Sequence, residues 1–478
     1  MVKERFKTFL LLLLVCISIF LTNQLWMKMP YKVFSLIKKE EYLGASYLLA
    51  DMLEPHKYLL NFDRKTHTMF YSKHKENLWI STCPILSNVL SSSNFKTDVI
   101  TDDEFFKYLK KRSIVFYFPE KFNTYILARS LEINKPNSIT EKMPKVESIY
   151  LYIGSGKPFF IFSNGNDHLM VYDIYDIDVD ITTLKEYVKG IEETVDYTYY
   201  YPMKDTLGSN NNTFIPYEMS KNLPLVSVER KLNPENIEEI RDIAKEYFNK
   251  DIDYIREIVE KDGSIIYLYD QKVLKINQNG ILEYFSPLEE PVLERNLYIS
   301  LNTVAEFLSN HIDNPEDMYL AKIEEIKFEE NLGYKLIFGH RVMGLPVILA
   351  NNDIEDFIEI DVFNKYIRNY KIFSRENKNI SNFNIEKNKR ILSTFDIINM
   401  NYDILEKDYI YYKRLNKEKI DKKTIMEDTL SSICNIDIAY MDPCSKEQEN
   451  KLIGVWLLET DNKVYAFDVY SGELVFEK

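Results

Sequence analysis

Four groups of residues carry side chains that could do chemistry. Residues 153–159 (IGSGKPF) bring Gly154, Gly156 and Lys157 together, the residue types of a phosphate-binding loop. That loop needs a Gly five residues before its Gly-Lys pair and a Ser or Thr after the Lys. Leu151 and Pro158 stand there instead, so the stretch reads as a hairpin turn. Asp173, Asp176, Asp178 and Asp180 form the densest carboxylate group. A calcium loop starting at Asp176 would require Gly and Glu where Ile181 and Tyr187 stand, so the alternating aspartates are expected on the solvated face of a strand. His168 and His340 have no Ser or Cys partner at a spacing that defines a hydrolytic triad, and His340 is expected at a strand end. Tyr197, Tyr199, Tyr200 and Tyr201 (YTYYYP) form a patch suited to a ligand, a sheet edge or a domain interface. With six dispersed histidines and four cysteines there is no zinc pattern, and no catalytic, cofactor or metal residue is assigned.

The segment that must place all of these is the first thirty residues. Lys7 and Lys28 enclose 20 uncharged, mostly apolar residues, which as a helix span roughly 30 Å, close to the hydrocarbon thickness of a bilayer. Residues 8–27 are therefore expected to be a transmembrane helix. Lys3, Arg5 and Lys7 hold residues 1–7 in the cytoplasm, and everything after Met29 is outside. A cleaved secretory signal would share the basic start and apolar run but should end in small residues, whereas Leu25-Trp26-Met27-Lys28-Met29-Pro30 is bulky. Val15 likewise disfavours lipidation of Cys16. On the anchor, Leu14, Ser18, Thr22 and Leu25 share one helical face and form a candidate packing stripe.

Beyond the anchor remain about 450 residues, enough for two or three domains. Residues 28–225 read as an N-terminal α/β domain. It holds a capped helix over 102–111 (Thr101 with Glu104), a core strand at 113–119 and a three-stranded meander over 146–180. Residues 226–373 read as a central helix-plus-sheet domain, with a helix opening at Asn233-Pro234-Glu235 and a second helical portion reaching Val259. Residues 374–390 are polar enough for a linker or exposed insertion. Residues 391–478 read as a C-terminal helix-plus-sheet domain with a strand at 404–413, a helix at 422–432 and closing strands. The fold class is α+β, mostly antiparallel sheets with covering helices.

The net charge is −14, and residues 1–28 contribute +3, leaving about −17 on the outer part. Such a field argues against nucleic acid as a partner and suits basic protein surfaces or cations. Three of the cysteines are exported, so this is not a disulfide-stapled scaffold. An oxidising exterior would permit one local bridge between Cys434 and Cys444, whose spacing leaves the geometry open.

The basic start, the single anchor ending near Trp26, the central LGYKLIFGHRVMGLPVILA and the terminal GVWLLETDNKVYAFDVYSGEL together resemble the YycH-type regulatory proteins of Gram-positive bacteria. The resemblance covers nearly the whole chain through diffuse motifs. Gly344 and Pro346 match a recurring turn and strand of the outer sheet modules, and Trp456, Tyr465 and Gly472 match the terminal module as fold determinants. The resemblance implies a three-domain extracytoplasmic region on a single-pass anchor in the cell membrane. It also implies no catalytic residues and no cofactor. The role it implies is control of a WalK-like sensor histidine kinase beside a YycI-like membrane protein, in the WalK–WalR (YycG–YycF) system that adjusts cell-wall metabolism. A second copy of the chain is a further candidate partner. Two other readings remain: an extracytoplasmic envelope-ligand-binding module using the tyrosine patch or the acidic 173–180 region, and an envelope hydrolase.

Overall fold

The computed structural model describes residues 49–478 apart from 64–65, 72–75, 176–178, 195–196, 212, 220–222, 313–316, 352–353, 382–389, 416–420 and 445–448. The apolar run 8–27, with Leu14, Ser18, Thr22 and Leu25, lies outside the described residues. Among those described, no helix is long and apolar enough to cross a membrane.

The first sheet is built from β1 (Lys57–Asn61), β2 (His67–Tyr71), β3 (Lys96–Ile100), β4 (Ser113–Asn123), β5 (Lys145–Tyr152), β6 (Phe160–Ser163), β7 (His168–Tyr172), β8 (Tyr200–Pro202) and β9 (Phe214–Pro216). Their order is β3-β7-β6-β5-β4-β1-β2-β8-β9, all antiparallel. The period-2 alternation gives this sheet two apolar faces. Phe116 packs on Trp79 of helix α1 (Glu76–Ser91) at 5.4 Å between ring centroids. Leu59, Val115, Tyr150 and Ile161 cluster with Phe106 and Leu109 of helix α2 (Asp102–Leu109). The expected capping box starts α2: the Thr101 hydroxyl accepts from the Glu104 amide, and the Glu104 carboxylate accepts from the Thr101 amide. Helix α3 (Thr182–Thr194) follows the β5–β7 meander. Strand β7 stops at Tyr172, so Asp173 is not in a strand. It takes a positive φ of 48° and pairs with Lys96 at 3.0 Å, because its carboxylate finds a cation on the edge strand. Asp176 and Asp178 lie outside the described residues.

The second sheet has thirteen strands. Helix α4 (Ile237–Phe248) leads into β11 (Arg256–Val259), β12 (Ile265–Tyr269), β13 (Lys272–Ile276) and β14 (Ile281–Phe285). Helix α5 (Leu297–His311) leads into β15 (Met318–Phe328), β16 (Asn331–Val342), β17 (Leu345–Leu349), β18 (Ile358–Phe363) and β19 (Tyr366–Phe373). Helices α6 (Thr394–Tyr412) and α7 (Lys422–Ser431) lead into β21 (Ile433–Asp442), β23 (Ile453–Thr460), β24 (Val464–Asp468) and β25 (Leu474–Glu477). The last two groups merge through a parallel pairing of β17 with β21, Val347 opposite Tyr440. A small third sheet, β20-β10-β22, joins Arg375–Ser381, Leu225–Arg230 and Glu449–Lys451. The polar stretch 374–390 thus begins as a strand.

Two further expectations for single elements fail. The helix opened by Asn233-Pro234 ends at Phe248 with Asn249 in the left-handed region, and residues 256–259 form a strand instead of a second helical portion. Strand β11 pairs with Ile265–Tyr269, and that ladder outweighs the local helical pattern. Residues 404–413 fall in helix α6, not a strand. The Ser393 and Asp396 capping box starts it, and Ile397, Asn401 and Leu405 at i, i+4, i+8 supply its buried stripe, overriding the β preference of its Ile and Tyr residues.

Candidate functional site

The two large sheets meet where β1, β2 and β9 abut the start of β21. Lys57, the first residue of β1, has a side chain only 10% exposed, and Asp437 on β21 only 7%. Burying either charge alone would be costly, so each needs the other. The Lys57 ammonium donates to the Asp437 carboxylate at 3.0 and 3.2 Å and to Asn435 Oδ1 at 2.9 Å. Tyr71 and Asn435 donate to the same carboxylate at 3.0 and 2.7 Å. Burial alone would raise the Asp437 carboxyl; Lys57 overcomes this and holds it below the ordinary carboxylate range. Burial, with Lys57 next, pushes the neighbouring His56 imidazole down to about 3. Burial and Asp437 raise Glu459.

The junction continues along β9 and its flanks. Asn211 donates to the carbonyls of Ser431 and Ile433 at 3.1 and 2.5 Å, and Thr213 Oγ1 donates to the Cys434 carbonyl at 2.9 Å. Thr394, at the start of α6, donates to the Pro216 carbonyl at 2.8 Å. The N-terminal sheet is therefore held to the C-terminal strands by directed polar contacts.

A second buried pair sits at the C-terminal end of β21. Arg375 on β20 makes two hydrogen bonds to Asp442, 2.7 and 3.1 Å, with side chains 1% and 0% exposed. The Cys444 amide also donates to Asp442 at 2.7 Å. Asp437 and Asp442 are five residues apart on one strand, so they address opposite faces. Sequence reasoning missed both pairs. The available signal was ICNIDIAYMD, an apolar strand pattern interrupted by two carboxylates.

The tyrosine patch divides by depth. Tyr200 is 2% exposed and lies beside Tyr71 and Asp437, whose charge adds to burial in raising its phenol. Tyr197 packs on Phe62 at 5.0 Å, and Tyr199 is at the surface. Tyr201 contacts Tyr217, which in turn contacts Phe395 of α6. Gly344, at φ 82°, follows Met343 at φ 54°, so the two form the tight β16–β17 turn, and Pro346 faces Arg341 across it. Trp456 and Tyr465 are buried against α6 and its leader: the Trp456 indole donates to the Leu392 carbonyl at 3.0 Å and the Tyr465 hydroxyl to Asp408 at 2.8 Å. Gly472, at φ 74°, turns β24 into β25, and its carbonyl accepts from Asn401.

His168 lies on β7, stacked 4.2 Å from Phe105, with Nε2 2.9 Å from Asp102. His340 is buried on β16, two residues from its end, near Phe357. Cys434 and Cys444 are free thiols. Their ten-residue separation, mostly along extended β21, is of the order of 30 Å, far beyond disulfide reach. Among the described residues, no group of three or more His, Cys, Asp or Glu side chains is placed to hold a metal.

No protein-family model matches the chain, and no curated protein matches it. Among solved structures, YycH from Bacillus subtilis is similar over 88% of this chain and 97% of that one, at 12% identity and a TM-score of 0.54. An uncharacterized protein from Eubacterium rectale aligns with 55% of this chain and 91% of its own, at 15% identity and a TM-score of 0.34. The C-terminal domain of YpeB from Bacillus megaterium aligns with 50% and 96%, at 11% identity and a TM-score of 0.23. The last two likenesses are too loose to carry an argument. The first is a likeness of fold: this α+β chain is arranged, over most of its length, as a distant structural counterpart of YycH.

Proposed function

We propose that this protein is a membrane-anchored, noncatalytic regulator of a WalK-like sensor histidine kinase, acting beside a YycI-like membrane protein in the control of cell-wall metabolism. The observation that carries the reading is the YycH-like arrangement over 88% of the chain. The basic and apolar leading segment supports it independently. Residues 1–7 are cytoplasmic, 8–27 cross the bilayer and the rest is extracytoplasmic. Sharing a membrane raises the effective concentration of weak contacts, so a modest interface suffices. Leu14, Ser18, Thr22 and Leu25 supply the intramembrane contact. The outer region, its sheets fastened at Lys57–Asp437, presents a fixed surface that binds one kinase conformation better than another and shifts its population.

Crosslinking in intact membranes followed by purification of this chain tests the reading. Recovery of a histidine kinase and a YycI-like protein is expected, and their reproducible absence contradicts it. Replacing residues 8–27 with an unrelated single span separates anchoring from recognition: lost regulation with intact localisation and folding assigns recognition to the helix.

A further inference from the structure

Beside the last turns of α5 the surface opens into a cleft of about 320 Å3. Its helical wall is Thr303, Glu306, Phe307, Asn310 and His311, the i, i+3, i+4, i+7, i+8 spacing of one helix face. The facing wall comes from strand ends and turns, with Lys272 at the start of β13, Tyr284 on β14 and Lys365 and Tyr366 at the β18–β19 turn. The helical wall is aromatic at its base: Phe307 and His311 stack at 4.1 Å, with Tyr247 4.4 Å from His311 and Tyr370 4.9 Å from Phe307.

The polar groups divide by sign and by engagement. Lys365 is taken up by Glu290 at 3.4 Å. Lys272 and Glu306, on opposite walls, have no ion-pair or hydrogen-bond partner among the described residues, and Glu289 at the rim is a further free carboxylate. Lys272 and Glu306 do not reach each other, so water or a ligand must answer both. His311 Nδ1 is 2.8 Å from the Phe307 carbonyl, which can only accept, so Nδ1 carries the proton. Burial lowers the imidazole, keeping it neutral at pH 7 with Nε2 as an acceptor. A polyanion would meet Glu306 and Glu289; a purely apolar ligand would leave Lys272 unanswered.

At about 30 Å3 per water, the volume holds on the order of ten non-hydrogen atoms. We propose that this cleft binds a small zwitterion, a free amino acid or a dipeptide. Its carboxylate sits on Lys272, its ammonium group on Glu306 and His311 Nε2, and its carbon body over Phe307. Such binding needs no kinase partner.

The test titrates the full-length chain in detergent micelles with alanine, dialanine, dialanine amide and N-acetyldialanine, read by calorimetry and saturation-transfer NMR. Saturable binding of alanine or dialanine is expected, and the tighter of the two identifies the source. Blocking either end should weaken binding about threefold to fivefold, the strength of a solvent-exposed ion pair. Lys272→Ala should abolish the discrimination between dialanine and its amide while keeping that against the acetylated form; Glu306→Ala should do the reverse. Both variants should keep the parent thermal midpoint, since neither side chain has an internal partner. The assignment is overturned if neither zwitterion saturates, if blocked forms bind equally well, or if both variants keep full discrimination.

Discussion

Asp437, midway along β21, and Asp442, at its end, carry the same chemical device in different surroundings. At Asp442 the partner is an arginine fork, bidentate and wholly enclosed, tying a small sheet to the strand it flanks. At Asp437 the partner is a lysine, still slightly accessible, and the carboxylate also accepts from Tyr71 and Asn435. Arginine suits the first site because its planar fork matches a carboxylate through two parallel hydrogen bonds, whereas a lysine is a point charge whose neighbours must supply the remaining directions. The Arg375 pair fastens the small third sheet to the end of β21. The Lys57 pair joins two sheets through residues 380 apart in sequence, and its surrounding donors keep Asp437 partly satisfied if the lysine is lost.

Three perturbations bear on this contrast, the largest first. Arg375→Ala leaves Asp442 enclosed with the Cys444 amide still donating to it and is expected to cost about 3–5 kcal/mol in urea unfolding. A cost below that of Lys57→Ala would reverse the ranking of the two pairs. Lys57→Ala is expected to cost about 2–3 kcal/mol, because Tyr71 and Asn435 still donate to the carboxylate. The apolar pair Lys57→Met with Asp437→Leu should recover most of that loss in a double-mutant cycle. Hydrogen exchange should rise at β9 and the start of β21 in Lys57→Ala and stay unchanged in β10 and β20; a uniform rise would mean the junction is not a separable contact.

Acidity acts more gradually, as a slope in pH. Burial first, with Lys57 at His56 and Lys110 at His67, holds these imidazoles down at about 3 and about 4 against an ordinary 6.5. Below about pH 6.5 the unfolded chain therefore binds protons the folded one refuses, so stability is complete above that pH and falls with acidification towards 4. Each histidine contributes up to about 1.4 kcal/mol per pH unit in that window. Both lie in or beside the N-terminal sheet, so His67→Gln should flatten the acid limb. An unchanged limb would move the acid sensitivity elsewhere.

Much of the fold was legible in the sequence because its cues are local. The Thr101 and Glu104 cap, the β5–β7 meander and the Gly344 and Gly472 turns need only neighbours within a few residues. The misread elements were those in which a distant partner or a helical stripe outvotes composition: 256–259 became a strand by pairing, and 404–413 a helix through its buried stripe. The candidate site was legible only in part. Tyr200 belongs to the expected patch, but Lys57 and Arg375 look like ordinary surface residues until β21 brings a carboxylate to each. The cleft beside α5 joins residues from Lys272 to Tyr366, a span across which no short motif extends.

The regulatory reading is tested most directly by reconstituting the cognate sensor kinase in lipid nanodiscs with and without the full-length chain and measuring autophosphorylation. A reproducible change in rate, lost when the chain is supplied without residues 1–28, is the predicted result. An identical rate in both preparations, with both proteins verified in the same discs, would contradict it.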